Sequence, residues 1–320
     1  MINILQTSIY IIKTFNNLKK APNAENIRLY VHSVYERTIN LMIDNQLVAL
    51  QIEGSPLSPI SIILSIDESG LGALDIKRGD NVTIDGEIVK IGNNEFSLSN
   101  ISETFDTILA GDYRPQLLAD ITISLIRNSN RCGFSSLVLS DKAPDDLSLS
   151  YAKNKLDEAE AICNLIKSNQ ATDKTAIHTK QEKLCDTLSN LIGVGTGLTP
   201  SGDDFITGIL STFAAFPDCF DSELVKCLRS EIYNKRDNTN EISRAFLDCA
   251  LNGQYSKSVI DLYKSICSAR IISPEQVSQE TLTRLLNSFC KIGHTSGIDT
   301  LTGIFWSMKH ISKIYNTYSG

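Results

Sequence analysis

"GDYRPQLLADITISLI", residues 111–126, is where the chain changes its hydrophobic period. Gly111-Asp-Tyr-Arg-Pro115 reads as a break, because glycine and proline punctuate helices and strands alike. Beyond it, Leu117, Leu118, Ile121, Leu125 and Ile126 share one helical face. Ahead of it the period is two. "TINLMIDNQLVALQI" (38–52) alternates Ile39, Leu41 and Ile43, turns at Asp44-Asn45 and alternates again. "NVTIDGEIVKI" (81–91) sets Asp85-Gly86 between two β-branched runs, a strong hairpin signal. "EFSLS" (95–99) follows a further turn at Gly92-Asn93-Asn94.

The helical period recurs after the break. Leu156, Ala159, Ile162, Cys163 and Ile166 form one stripe; Phe205, Ile206, Ile209, Leu210 and Phe213 form another. Leu301, Ile304, Phe305, Met308 and Ile311 form a third, and 127–148 reads as a loose segment. Strands first and helices afterwards give an α+β fold rather than an alternating α/β one. The expectation is a small barrel- or sandwich-like β domain over 1–112 and a mainly helical domain over 113–320. A chain of 320 residues is long enough for two cores.

A net charge of −7 gives no electrostatic support to a nucleic-acid or acidic-membrane partner. No apolar run reaches the roughly 18 residues of a membrane span. "MINILQTSIYIIKTF" lacks the basic start and small-residue cleavage site of a signal peptide. The 8 cysteines form no CxxC and no zinc-like spacing, and most lie in apolar helical patterns. They read as reduced thiols, and a cytoplasmic protein is expected.

"GVGTGLTPSGDDF" (193–205) is the strongest chemical signal. The dinucleotide fingerprint fails, because Leu198 stands at its third glycine. The phosphate-loop pattern also fails: Gly197 and Gly202 have its spacing, but Asp203-Asp204 replaces Lys-Ser/Thr. Backbone amides at a helix start would favour an anion, and two carboxylates would oppose it. A divalent cation such as Mg2+ on Asp203 and Asp204 reconciles the two, as does a ligand carrying both an anionic end and N–H donors. The plain alternative is a capping box from Ser201 to Asp204.

A second stretch, "GHTSGIDTLTGIF" (293–305), repeats the first. Ser201-Gly202-x-Asp204-x-x-Thr207-Gly208-Ile209 matches Ser296-Gly297-x-Asp299-x-x-Thr302-Gly303-Ile304, offset by 95 residues. Glycine inside a helix marks close approach of another backbone. The two helix starts are therefore expected to face each other across one polar pocket; duplication without a pocket is the alternative. His294 is a candidate anion ligand or proton shuttle, or a local cap partner. His178 and His310 read as surface residues, and His32 as part of a strand edge. Asn240, Ser243 and Arg244 precede an apolar face, and Arg236 and Arg244 could fork onto an anion or simply be solvated.

The blocks "GVGTGLTPSGDDFITG", "TNEISRAFLDCALNG" (239–253) and "GHTSGIDTLTG" resemble three signature blocks of the AllH family. "VHSVYERTINL" (31–41) resembles its N-terminal block. The resemblance implies a subunit of oxamate carbamoyltransferase in anaerobic allantoin (purine) breakdown, beside FdrA-type and AllG-type partners. The implied reaction is exchange between carbamoyl phosphate plus oxamate and oxalurate plus phosphate. On that reading Gly195, Gly197, Thr199, Ser201 and Gly202 shape an anion-binding turn, Asp203 and Asp204 orient an amide or hold a metal, and His294, Ser296 and Asp299 form the opposite wall. Asn240 and Ser243 complete the substrate-binding set, and Asp203, Asp204 and His294 are the catalytic candidates. Two other functions stay open: a non-catalytic scaffold or small-anion-binding subunit, and a stand-alone metal-dependent enzyme using Asp203 and Asp204.

Overall fold

The computed structural model describes residues 2–20, 28–111, 113–140, 144, 146–168, 174–267 and 273–313. They divide into two compact units, Met1–Ile108 with Gln254–Lys257, and Leu109–Gly253 with Ser258–Gly320.

The first unit runs β1 (Ile4–Ser8), α1 (Ile9–Lys20), β2 (Leu29–Val34), β3 (Thr38–Ile43), β4 (Gln46–Gln51), β5 (Ser61–Leu64), α2 (Glu68–Gly72), β6 (Val82–Asp85), β7 (Ile88–Ile91), β8 (Asn94–Ser97) and β9 (Glu103–Phe105). A mixed sheet has the order β2-β3-β4-β5-β1-β9, and β6-β7-β8 form a second, antiparallel sheet. Bridges at Ile2–Phe96 and Tyr30–Asn81 link them. The hairpins fall where their turn residues place them. Asp44 and Asn45 both take positive φ, 46° and 64°, as the right-handed twist of β3 and β4 requires. β3 and β4 lie inside the six-stranded sheet and are buried on both faces. Asn40 is buried there and donates to Ser33 Oγ (3.0 Å). His32 lies on the edge strand β2, its Nδ1 2.9 Å from Ser33 Oγ. The returning segment Gln254–Lys257 is tied in by Tyr255 N–H donating to Thr107 C=O (2.7 Å).

The second unit is helical: α3 (Leu118–Arg127), α4 (Phe134–Leu139), α5 (Leu147–Ser168), α6 (Lys174–Ser189), α7 (Ser201–Ala215), α8 (Ser222–Lys235), α9 (Glu241–Leu251), α10 (Lys257–Ile266), α11 (Gln279–Cys290) and α12 (Ser296–His310). The segment read as loose contains α4. At the centre, α12 is buried almost throughout and packs on α7, α3 and α4. Phe134, Phe205 and Trp306 form an aromatic chain with ring centroids 5.7 and 5.8 Å apart. His310 is a correction to the sequence reading. It is buried rather than on the surface, because the last turn of α12 remains inside the bundle and its ring lies 5.0 Å from that of Trp306. Burial, with Lys309 and Lys167 nearby, pushes its pKa down to about 3, so it is neutral and its approach to Glu160 is no ion pair. All eight cysteines are free thiols. Among the described residues no helix is long and apolar enough to cross a membrane.

The α7–α12 crossing is built on its two internal glycines. A Cβ on Gly208 would lie 2.2 Å from Thr300 O, and one on Gly303 1.9 Å from Phe205 O. Both obstacles are backbone, so the helices themselves would have to separate. Gly303→Ala is expected to destabilise the protein by about 3 kcal/mol in urea unfolding, as overpacking of a tight core does. Gly72→Ala, which meets nothing within 4 Å, should be neutral or slightly stabilising. Equal midpoints for the two variants would show that the crossing is loose.

Candidate functional site

The turn before α7 is shaped by backbone that only glycine adopts easily. Gly195 has φ +120°, and a Cβ there would fall 2.6 Å from the amide of Ser201. Gly193 N–H donates to Asp203 Oδ1 (2.7 Å). Asp203 Oδ2 accepts from Thr239 Oγ1 and Ser243 Oγ, both at 2.5 Å. Asn240 caps α9, accepting from the amides of Ile242 (3.1 Å) and Ser243 (3.0 Å). Asp203, Asn240 and Ser243 thus brace the turn against the start of α9. Asp203 is 2% exposed; burial pushes its pKa up, while Ser243, Thr239 and the Gly193 amide pull it back.

Ser201 is not the cap of α7. Pro200 occupies that position, Ser201 is the first helical residue, and neither α7 nor α12 has a side-chain cap. Its hydroxyl, and that of Ser296, reach across instead. Asp204 on α7 receives hydrogen bonds from Ser296 and Thr199, and Asp299 on α12 receives them from Ser201 and Thr295. Thr199 Oγ1 and Ser296 Oγ are themselves 2.7 Å apart. The reciprocity continues down the pair: Gly208 meets Gly303, and Thr212 Oγ1 lies 2.9 Å from Ser307 Oγ. Residues that correspond between the two sequence repeats therefore meet about a local two-fold axis.

The two carboxyls at the head of this axis are electrostatically stressed. Burial and then the neighbouring Asp299 charge raise the Asp204 pKa well above the usual carboxylate range, against the Ser296 and Thr199 hydrogen bonds. Burial raises Asp299 to about 6, opposed by Ser201, the Phe134 amide and Thr295. Two like charges in low dielectric cannot both persist cheaply, so the pair retains a proton towards neutral pH. Asp299 is 0% exposed, whereas Asp204 keeps part of its surface open. The Oδ2 atoms of these two residues are enclosed and accept no hydrogen bond. A buried acceptor left unpaired costs about 1–3 kcal/mol, so each such atom calls for a proton, a cation or an incoming N–H.

The other sequence candidates are placed as follows. Thr199, Ser201, Asp204, Ser296 and Asp299 come together at the crossing. Gly197 is exposed with nothing within 4 Å of a would-be Cβ, and Gly202 is wedged against Leu191 O. The His294 side chain is exposed, and its carbonyl accepts from Arg131 Nη1 (2.7 Å). Arg236 pairs with Asp248 (3.1 Å) and lies over the Tyr233 ring, while Arg244 pairs with Asp237 (2.9 Å). Both arginines are thus satisfied locally. Among the described residues no three His, Cys, Asp or Glu side chains cluster as metal ligands.

Residues 131–134 escaped the sequence reading. Phe134 N–H donates to Asp299 Oδ1 (2.7 Å), and a Cβ on Gly133 would lie 2.2 Å from that same oxygen. "RCGF" has no periodicity and no repeat partner, so only its place in space marks it.

A family model described as oxamate carbamoyltransferase subunit AllH matches residues 191–308, and one for the AllH family N-terminal domain matches residues 6–103. The chain belongs to the AllH family. No curated protein and no solved structure matches it. The first AllH match spans both helix starts, the α9 brace and all of the α7–α12 crossing except its last residues.

The raised carboxyls set a pH dependence. The folded state holds protons that the unfolded chain has released, so stability falls as pH rises from about 4 through the Asp299 value and on towards that of Asp204. Asp299→Asn keeps an acceptor for the Phe134 amide and removes the Asp299 share. Its urea midpoint should fall less steeply between about pH 5 and pH 7 and should equal or exceed wild type at the upper end. A profile as steep as that of wild type would remove Asp299 from the raised pair.

Proposed function

We propose that this chain is the AllH-type subunit of an oxamate carbamoyltransferase and that the α7–α12 crossing is its substrate-binding centre. The reaction is carbamoyl phosphate plus oxamate giving oxalurate plus phosphate, or the reverse, in allantoin breakdown in the cytoplasm. FdrA-type and AllG-type chains complete the assembly. The family description supports a carbamoyltransferase subunit. The observation that carries the site is the pair of unpaired, enclosed oxygens on Asp204 and Asp299.

In this reaction the amide nitrogen of oxamate attacks the carbamoyl carbon. A C–N bond forms, the C–O bond to phosphate breaks, and the nitrogen gives up a proton. Carbamoyl phosphate, oxamate and oxalurate each present an N–H2 group together with an oxyanion. Carboxyl oxygens without donors suit the N–H groups, and the glycine-rich turn leaves backbone amides for the anion. Asp204 is the better placed of the two acids, because it keeps open surface while Asp299 is closed over by Gly133 and Phe134. Asp204 orients the attacking amide, whose proton passes to the departing phosphate, and Asp299 holds the geometry from behind. A stand-alone metal enzyme built on Asp203 and Asp204 has less support, since Asp203 already gives its oxygens to three donors.

Carbamoyl transfer by the purified three-component assembly tests this reading. Asp204→Asn is expected to lower kcat/KM about a hundredfold, the scale of losing one positioned polar group at a reacting centre, with the melting temperature near that of wild type. An assembly that transfers carbamoyl equally well with Asp204→Asn would move the centre to another subunit, leaving this chain a scaffold.

A further inference from the structure

The pair of buried acids repels any anionic substrate, and the chain as a whole carries −7. A site for an oxyanion therefore needs a fixed cation at the crossing. Arg131 supplies one. Its Nη1 donates to the carbonyls of Gly293 and His294, in the turn that leads into α12. Three residues further on, Phe134 holds Asp299. The guanidinium is thus anchored by backbone on the turn that leads into α12, the helix that carries Asp299.

Arg131 differs from the four arginines that form ion pairs. Arg37, Arg236, Arg244 and Arg284 each have a carboxylate within 4.0 Å: Glu68, Asp248, Asp237 and Asp261. Among the described residues no carboxylate pairs with Arg131. Its Nη1 donates to both carbonyls, and the edge formed by Nε and Nη2, a pair of parallel donors, has no partner among the described residues. That edge matches two oxygens of a carboxylate or a phosphate, which a lysine ammonium cannot do in the same way. Arg131 is held by neutral carbonyls, and no described carboxylate compensates its charge.

We propose that Arg131 receives the oxyanion of the substrate through its Nε and Nη2 hydrogens. The role rests on the carbamoyl-transfer reading above and names the anion-holding residue of that site. Carboxylate and phosphate share the required chemistry, and the substrate kinetics distinguish them.

The test uses Arg131→Lys and Arg131→Gln in the full chain and in the complete assembly. Titration of the full chain with inorganic phosphate and with oxamate reads binding, and initial rates of the assembly read KM for each substrate. Both variants should keep the wild-type melting temperature within a few degrees. Each should weaken one anion by about tenfold or more, the scale of losing a charged hydrogen bond, with Arg131→Lys the milder. A KM increase for oxamate alone assigns the carboxylate, and one for carbamoyl phosphate alone assigns the phosphate. Unchanged affinity for both anions in both variants would overturn the proposal. If the variants melt early, Arg131→Ala with added guanidinium separates the roles: rescue of stability without rescue of anion affinity also overturns it. The transfer reading fails separately. A wild-type assembly without carbamoyl transfer, whose chain still loses anion binding in Arg131→Lys, defeats that reading and leaves the anion site standing. Full transfer by the Arg131→Gln assembly does the opposite.

Discussion

The close approach of α7 and α12 is the constraint from which the second unit follows. With Gly208 and Gly303 at the contact, each helix presses on the other's backbone rather than on side chains. Everything lying on the two facing sides is then enclosed, polar or not. Ser211, Thr212, Thr302 and Ser307 are all buried, and each hydroxyl is satisfied by a carbonyl or by another hydroxyl. A looser crossing could have let water perform that task. A tight one requires small residues with their own internal partners, and the repeated sequence supplies them at matched positions.

The same closeness accounts for the state of the acids. Asp204 and Asp299 lie one turn ahead of the glycines, where the helices are already close but have not yet left the turns. Helix N-termini favour negative charge, burial opposes it, and each acid also opposes the other. Hydroxyls from the opposite repeat offset part of the cost without covering both oxygens. The arrangement is poor for stability, since two enclosed oxygens are left without a donor. Conflict of this kind between local preference and enclosure is what functional sites tolerate and ordinary cores remove.

Much of this was legible in the sequence because it rests on short-range rules. Asp44-Asn45 and Asp85-Gly86 place their hairpins through positive φ, and the apolar stripes after Pro115 place α3, α7 and α12. The repeat at offset 95 announced that two helix starts are related, and the internal glycines announced close contact. What could not be read is which acids do what. Asp203 and Asp204 are adjacent and chemically identical, yet a helix turns successive side chains about 100° apart. One faces the α9 brace and the other faces α12. Ser201 matches a capping box letter for letter, but Pro200 fills the cap position and leaves its hydroxyl to the opposite helix. Arg131, Gly133 and Phe134 lie more than 150 residues from the turn they support, with no repeat or period to point there.

The duplication is symmetric in its crossing and asymmetric in its surroundings. The connection into α12 spans only 291–295, while that into α7 spans 190–200 and carries Gly193, Gly195 and Gly197. On the short side, Phe134 and Gly133 close over Asp299 and leave it without exposed surface. On the long side, residues 196–198 are exposed and Asp204 keeps part of its surface. A perfectly symmetric pair would either be sealed twice, with nowhere for a substrate, or be open twice, with both acids solvated and their pKa values back near normal. One half is closed and the other keeps exposed surface, so the two acids sit in unlike surroundings.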